Sequence, residues 1–398
     1  MNGSAGGMRV VVVGAGVFGS WTALWLVRRG ASVTLVDQYG PGNALSSSGD
    51  ESRVTRSAHG PDDHYPRWQR RALEQWRELD AALIVPAGVA WFAGADDAFE
   101  TQSLEVLGRL GFPVERLDRA EAARRWPQIS LDRVSWVLHE PNGAAILARR
   151  AVAATVQTFV AEGGELRIGH AGMDRDGVVL EVDGATLAFD AVVFAAGPWL
   201  PKLLGSVTPL DLAVTRQEVI YFATPPGDDR FDVGRHPIWV EYGAAFYGIP
   251  SIEHRGFKVA PDWPGEIVDP DTLDRRLTDE RVGASRAYLR RRFPALADRP
   301  VAEGRVCQYE TTPDTHFIID RLPALSMLNA WIVGGGSGHG FKHGPVVGEY
   351  LSGLITGQPV DDIAPPDDRF GLRRRRAGLG MRTAAGAPAA DSRARDVP

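Results

Sequence analysis

Residues Arg9 to Val13 form a β-branched run that leads straight into Gly14-Ala15-Gly16-Val17-Phe18-Gly19, after which apolar residues recur at helical spacing as far as Gly30. A second strand-like segment, Ser32 to Val36, ends in Asp37, 18 positions beyond Gly19. Strand, glycine turn, helix and strand within about 30 residues make a βαβ unit. In such a unit the glycines allow a tight turn, close backbone approach to a pyrophosphate and close helix packing, while the helix start offers free N–H groups and the favourable end of the helix dipole. An acid at the end of the second strand accepts hydrogen bonds from an adenosine ribose and repels a 2′-phosphate. A dinucleotide of the FAD or NAD type is expected, and NADP is disfavoured.

The rest of the chain is too long for one compact core. At 398 residues two joined domains are expected. The formal net charge of -6 gives no basic field for polyphosphate, so a small molecule is the expected partner and nucleic acid is not. A single cysteine, Cys307, rules out an internal disulfide and a thiolate-rich metal site, and it fits a cytoplasmic location. No apolar run approaches the roughly 20 residues that span a bilayer, so no membrane segment is expected. The start, Met1 to Gly7, lacks the features of an export signal. Residues 377–398 have no apolar periodicity and read as a disordered tail.

Further along, a Gly/Ser/Pro-rich loop from Gly40 to Ser52 precedes a helix around Tyr65 to Leu79. Strands near Val89 to Phe92 and Trp136 to His139 flank a helical segment at Ser103 to Leu110, and Ala144 to Ala161 reads as one long helix. Asp190 to Ala196 is a buried strand closed by Gly197-Pro198-Trp199, and a β-rich meander runs from Val219 to Val259. After a helix at Thr278 to Arg292, the strand Ala330 to Val333 opens into Gly334-Gly335-Gly336-Ser337-Gly338-His339-Gly340 and a helix beginning near Pro345. Strand, glycine loop and helix thus recur at both ends. This order predicts an α/β fold in which a Rossmann-type FAD-binding domain (8–80, 145–212 and 315–372) carries an inserted mixed β-sheet substrate domain (81–144 and 213–314). FAD is preferred to NAD because the Gly/Ser loop with Arg53 and Arg56 stands where a second mononucleotide half would begin. The late glycine loop supplies another helix start, suited to negative charge on a reduced flavin.

Four separated motifs carry a resemblance to a known family. They are Gly14 to Gly19 with Asp37; Ser47-Ser48-Gly49-Asp50-Glu51-Ser52-Arg53-Val54-Thr55-Arg56; the stretch from Cys307 to Asp320; and Ser337-Gly338-His339-Gly340-Phe341-Lys342. Together they resemble the monomeric sarcosine oxidase and N-methyltryptophan oxidase family of the D-amino-acid-oxidase superfamily. The resemblance implies FAD held by Gly14, Gly16, Val17, Phe18, Gly19, Asp37, Gln38, Ser48, Ser52, Arg53, Gly338, His339, Gly340 and Lys342, with Cys307 joined to the flavin 8-methyl carbon as a thioether. Arg305, two positions away, is expected to favour the thiolate. It further implies that Arg56 and Lys342 clamp a substrate carboxylate. Lys258, in Gly256-Phe257-Lys258-Val259, would sit near the flavin and promote oxygen reduction, and Tyr247 and Tyr309 would line the substrate cavity.

The implied activity is FAD-dependent oxidation of a small secondary or N-methyl amino acid by oxygen, giving an imine and hydrogen peroxide. The family's histidines are replaced here by Ser48 and Gly49, and its active-site histidine after the lysine by Asp262. These changes put sarcosine in question and keep open a cyclic imino acid, a glycated amino acid, a biosynthetic amine intermediate, or a flavin dehydrogenase. A monomer or weak oligomer is expected. No metal is expected, since His339 has no partner at metal-ligand spacing, and Arg373 to Arg376 read as a solvated segment.

Overall fold

The computed structural model describes residues 7–173 and 180–372. The expected tail, the Arg373 to Arg376 run and all of the leader but Gly7 lie outside the described residues.

One sheet has six strands in the order Ile318–Arg321, Ala330–Gly334, Ala191–Phe194, Arg9–Val13, Ser32–Asp37, Glu165–Ile168. Arg9–Val13 runs parallel to both its neighbours, and only the Ile318–Arg321 edge is antiparallel. The valine run follows from this central place. Val10 and Val12 feed one core, with the helices Val17–Arg28 and Gly344–Thr356, while Val11 and Val13 feed another with Val192, Phe194 and Ile332. A strand buried on both faces has no polar side to alternate with.

The helix Val17–Arg28 lies very close to its strand and to the helix Gly344–Thr356. A Cβ on Gly19 would sit 1.8 Å from the Gly14 carbonyl oxygen, and one on Gly348 would sit 2.5 Å from the Trp21 backbone. Gly14 itself takes φ +109°, a conformation that side chains disfavour. These contacts fix where the first helix begins, and so where its N–H groups point.

The second sheet has eight strands in the order Val301–Thr311, Ala213–Phe222, Phe257–Pro261, Phe246–Ile249, Ile238–Glu241, Val89–Ala93, Trp136–Glu140, Glu115–Asp118. Its pleat sorts the sequence into two faces. Ile220, Phe222, Trp239, Phe246, Phe257 and Val259 pack with Tyr288 and Leu289 of the helix Asp279–Arg292. The alternate residues, among them Gln217, Val219, Lys258, Ala260, Cys307 and Tyr309, turn the other way. Cross-strand register aligns Trp91, Val240, Tyr247 and Ala260 in one row of that second face.

Some boundaries differ from the sequence reading. Ala144–Leu147 is a strand between Ser52–Thr55 and Ile84–Pro86, and the helix begins only at Ala148. All four residues are buried, and a short apolar run fits a strand and a helix equally well, so pairing on both sides decides. The helix expected from Ser103 already starts at Ala98, and the meander begins at Ala213. Among the described residues no helix is long and apolar enough to cross a membrane.

Candidate active site

A cavity of about 760 Å³ runs from the C-terminal end of the Ser32–Asp37 strand, past the start of the first helix, to the late glycine loop and the second face of the eight-stranded sheet. At its first end Asp37 accepts hydrogen bonds from Ala15 N (2.8 Å) and Tyr39 N (2.9 Å). Burial raises its carboxyl above the ordinary range. Ser48 Oγ accepts the Val17 N–H at 3.1 Å and so caps the first helix from the Gly/Ser loop. Gly14, Gly16, Val17, Phe18, Asp37, Gln38, Ser48 and Arg53 line this part, whereas Gly19 stands behind it as a packing residue.

The two glycine loops meet at Phe18. A Cβ on Gly340 would fall 2.7 Å from the Phe18 ring and 3.0 Å from Gly336 Cα. Gly338, His339, Gly340 and Lys342 line the same cavity. Lys342 is buried and donates from Nζ to the His339 carbonyl at 3.0 Å. Arg56 also lines the cavity, its guanidinium 5.0 Å over the Trp91 ring, and donates to the Ala58 carbonyl. The two residues expected to clamp a carboxylate thus share one chamber.

Cys307 reaches the cavity from the strand Val301–Thr311, but the cation beside it is not the expected one. Arg305 is taken by Glu51 (2.7 Å) and Glu303 (2.6 Å). Arg53 instead places Nη2 4.0 Å from the sulfur. Burial pushes the Cys307 thiol up, and Arg53 partly opposes it.

Lys258 and Ser52 do not line the cavity. The pleat points Lys258 to the correct face, but its ammonium is held 2.6 Å from Asp50 Oδ2 and 2.9 Å from the Ser52 carbonyl. Asp50 was not among the expected site residues. It is buried, it also accepts from Arg53 (2.6 Å) and the Tyr221 hydroxyl (2.9 Å), and against the opposing effect of burial Lys258 and Arg53 hold its carboxyl well below the usual range.

Tyr247 and Tyr309 line the substrate side of the cavity with Asp262. The Tyr309 hydroxyl donates to Asp262 Oδ1 at 3.2 Å, and burial lifts the Tyr247 phenol to about 12. Beyond Arg56 the wall is aromatic: Trp91 and Phe99 are 5.2 Å apart and Phe99 stacks on Tyr242 at 4.2 Å. Sequence reasoning missed this wall. Its residues come from three separate elements, and only Trp91 lay in a segment read as a strand, an apolar run buried throughout whose pattern does not single it out.

Glu310, also on the cavity wall, accepts from Gly336 N and Ser47 Oγ, both at 3.3 Å. Burial lifts its carboxyl from 4.5 to about 7. The folded protein therefore keeps a proton that the unfolded chain has lost, so this group's stabilising contribution is full below the unfolded value and disappears as pH rises through the folded one. Glu310→Gln is expected to reduce the fall in Tm between about pH 5 and pH 8, by a differential of about 3 kcal/mol at most. Parallel Tm profiles for the two proteins would contradict this.

Behind Lys342, His59 and His343 join His339, and among the described residues these form the group with metal-like clustering, ligand atoms within 4.8 Å of one another. This corrects the reading of His339 as lacking a partner at metal-ligand spacing: His343 stands four positions on, and the fold adds the remote His59. Burial first, and then Lys342 and Arg56, push His59 and His343 well below the ordinary imidazole range. The same two cations oppose a metal ion there. The cluster is better read as neutral packing beneath Lys342, with Tyr65 5.3 Å from His59 and 5.4 Å from His343.

A continuous cavity with glycine backbone at both ends, an acid at the second strand and a thiol on its wall fits FAD. The sequence pattern of DAO, the FAD dependent oxidoreductase family, matches residues 9–354. The chain is a DAO-family FAD dependent oxidoreductase. A monomeric sarcosine oxidase from Streptomyces avermitilis is 32% identical to this oxidoreductase over 376 residues, 90% of this chain and 97% of its own. An N-methyl-L-tryptophan oxidase from Salmonella dublin is 25% identical over 372 residues, 89% and 97% of the two chains. Among solved structures, L-proline dehydrogenase from P. horikoshii matches the oxidoreductase with a TM-score of 0.79 at 20% identity, covering 92% of this chain and 97% of that one. Glycine oxidase from Geobacillus kaustophilus matches with a TM-score of 0.77 at 19% identity, covering 93% and 100%. The structural matches bear on the fold alone, a Rossmann-type FAD domain joined to a mixed-sheet substrate domain.

Proposed function

We propose that this oxidoreductase oxidises a secondary or N-methyl amino acid with oxygen, releasing an imine and hydrogen peroxide, and that its FAD is joined to Cys307. The observation that carries the reading is the placement of Arg56 and Lys342 on the cavity that also holds both glycine loops and the Cys307 thiol. Bound FAD supplies an acceptor for two electrons from the substrate C–N unit and a donor to oxygen. Gly14, Gly16, Val17 and Ser48 would hold its pyrophosphate side, Asp37 its ribose, and Gly338 to Lys342 the far end.

Arg56 grips the substrate carboxylate as a fork and Lys342 adds a point charge. Asp262, bonded to Tyr309, faces the cavity, where it can accept a hydrogen bond from the substrate amine. The aromatic wall of Trp91, Phe99 and Tyr242 excludes water and supports a substrate with a bulky or cyclic substituent over sarcosine. The relatives named for sarcosine and N-methyl-L-tryptophan support the secondary-amine class. A single thiol fits a cytoplasmic enzyme.

The test is peroxide release across sarcosine, N-methyl aromatic amino acids, proline and pipecolate, and glycated amino acids. The expected result is peroxide from an N-methyl or cyclic amino acid, with kcat/KM strongly lowered when its carboxylate is converted to an amide. Absence of peroxide from every amine overturns the oxidase reading, and absence of anaerobic flavin bleaching as well overturns amine oxidation itself.

A further inference from the structure

Arg53, Asp50 and Lys258 form a line that begins at the cavity wall and ends behind it. Arg53 lines the cavity, and its Nη1 lies 2.6 Å from Asp50 Oδ2. The same oxygen accepts Lys258 Nζ at 2.6 Å. Asp50 Oδ1 is occupied by the Tyr221 hydroxyl at 2.9 Å and by the Glu51 N–H at 2.7 Å. Asp50 and Lys258 are only 3% and 1% exposed. One dry carboxylate thus serves two cations, of which only the guanidinium faces the cavity.

The strand pleat alone would send Lys258 toward the cavity, on the face that carries Ala260. Asp50 and the Ser52 carbonyl are what take its ammonium. Burial acts against the charge on Lys258 and Arg53 acts with it, while Asp50 and, more weakly, Cys307 favour the charge. The Tyr221 ring, 5.8 Å from Nζ, is a buried phenol held above its ordinary range. Arg305 approaches Asp50 to 3.8 Å but is matched by Glu51 and Glu303. Without Asp50, Lys258 would be a buried amine facing a guanidinium with no anion in contact, and such an amine sheds its proton.

We propose that Asp50 is a positioning residue for the oxidation chemistry: by bridging Arg53 and Lys258 through one buried carboxylate it keeps Lys258 charged, withdraws that charge from the cavity wall, and leaves Arg53 as the cation presented there. The three side chains carry one net positive charge. Oxygen reduction, which proceeds through anionic species, then draws on a Lys258 charge that Asp50 holds constant with pH, even though Asp50 touches neither substrate nor cavity. This inference rests on the flavin oxidase reading for its kinetic part and not for its thermodynamic part.

The experiment compares the holoenzyme with Asp50→Asn, Asp50→Glu and the double variant Asp50→Asn/Lys258→Met. In Asp50→Asn the folded protein loses the Lys258 proton while the unfolded chain still holds it, so its Tm relative to the parent is expected to rise between about pH 6 and pH 9. The double variant removes that slope, and Asp50→Glu restores the parental profile. Anaerobic flavin reduction by the amine is expected to change less than about threefold in Asp50→Asn, while reoxidation by oxygen slows about tenfold from pH 6 to pH 9. A Tm offset that is constant with pH, or a slope that persists in the double variant, overturns the proposal. Equal slowing of both half-reactions at every pH also overturns it, since that is what a merely structural role produces. Should the parent reduce no oxygen with any amine, the oxidase reading fails, yet the Tm profiles still decide the role of Asp50.

Discussion

Lys342→Met is expected to lower kcat/KM for the preferred amino acid about a hundredfold or more, mostly through KM, because a buried cation that faces a substrate anion is worth about 3 kcal/mol when truncated. The side chain is 3% exposed and anchored at the His339 carbonyl, so its charge acts in a dry site where screening is weak. Methionine keeps the length and removes the charge. The decisive comparison uses the same amine with its carboxylate converted to an amide. For that compound the parent and the variant should differ by less than about threefold, since nothing is left for the ammonium to grip. If Lys342→Met costs as much on the amide as on the acid, the residue supports the cavity's shape and the clamp assignment is wrong.

Cys307→Ser is expected to have an all-or-none effect on how the flavin is held. Acid precipitation of the parent should leave the yellow colour with the polypeptide, and the same treatment of the variant should release it to the supernatant. The thiol lies on the cavity wall, and Arg53, 4.0 Å from the sulfur, favours its thiolate against burial. Free colour from the parent itself would remove the thioether and leave Cys307 as one more buried wall residue.

Much of this was legible because it is local. The turn at Gly14 to Gly19, the valine run before it and the acid after the second strand are short-range consequences of backbone sterics and two-sided burial. They place the first helix, and through it one end of the cavity. Cys307 and Tyr309 were expected at the site only through the family resemblance, and it is the strand Val301–Thr311 that puts them on a common face. Side chains whose partners lie far off in the chain were less readable. Lys258 was expected near the flavin by resemblance, but its Nζ goes to Asp50, 208 positions away. Arg305 looked like the neighbour of the thiol by sequence distance, yet two nearer carboxylates take it. The strand Ala144–Leu147 was hidden because four apolar residues have no period of their own. His59 joined His339 and His343 only through the fold, and the aromatic wall is an assembly of three elements that no window of sequence contains.

The six-stranded sheet also bears on how such a chain is made. Its central strand is residues 9–13, and the neighbours on one side are 191–194 and then 330–334. The first helix is clasped by a helix that ends at Thr356. A growing chain on the ribosome therefore exposes an apolar valine strand long before its later partners exist. With Gly338 to Lys342 at the far end of the cavity, the cavity is not complete until those residues have emerged, so loading of the flavin is expected of the finished polypeptide and not of its first synthesised portion.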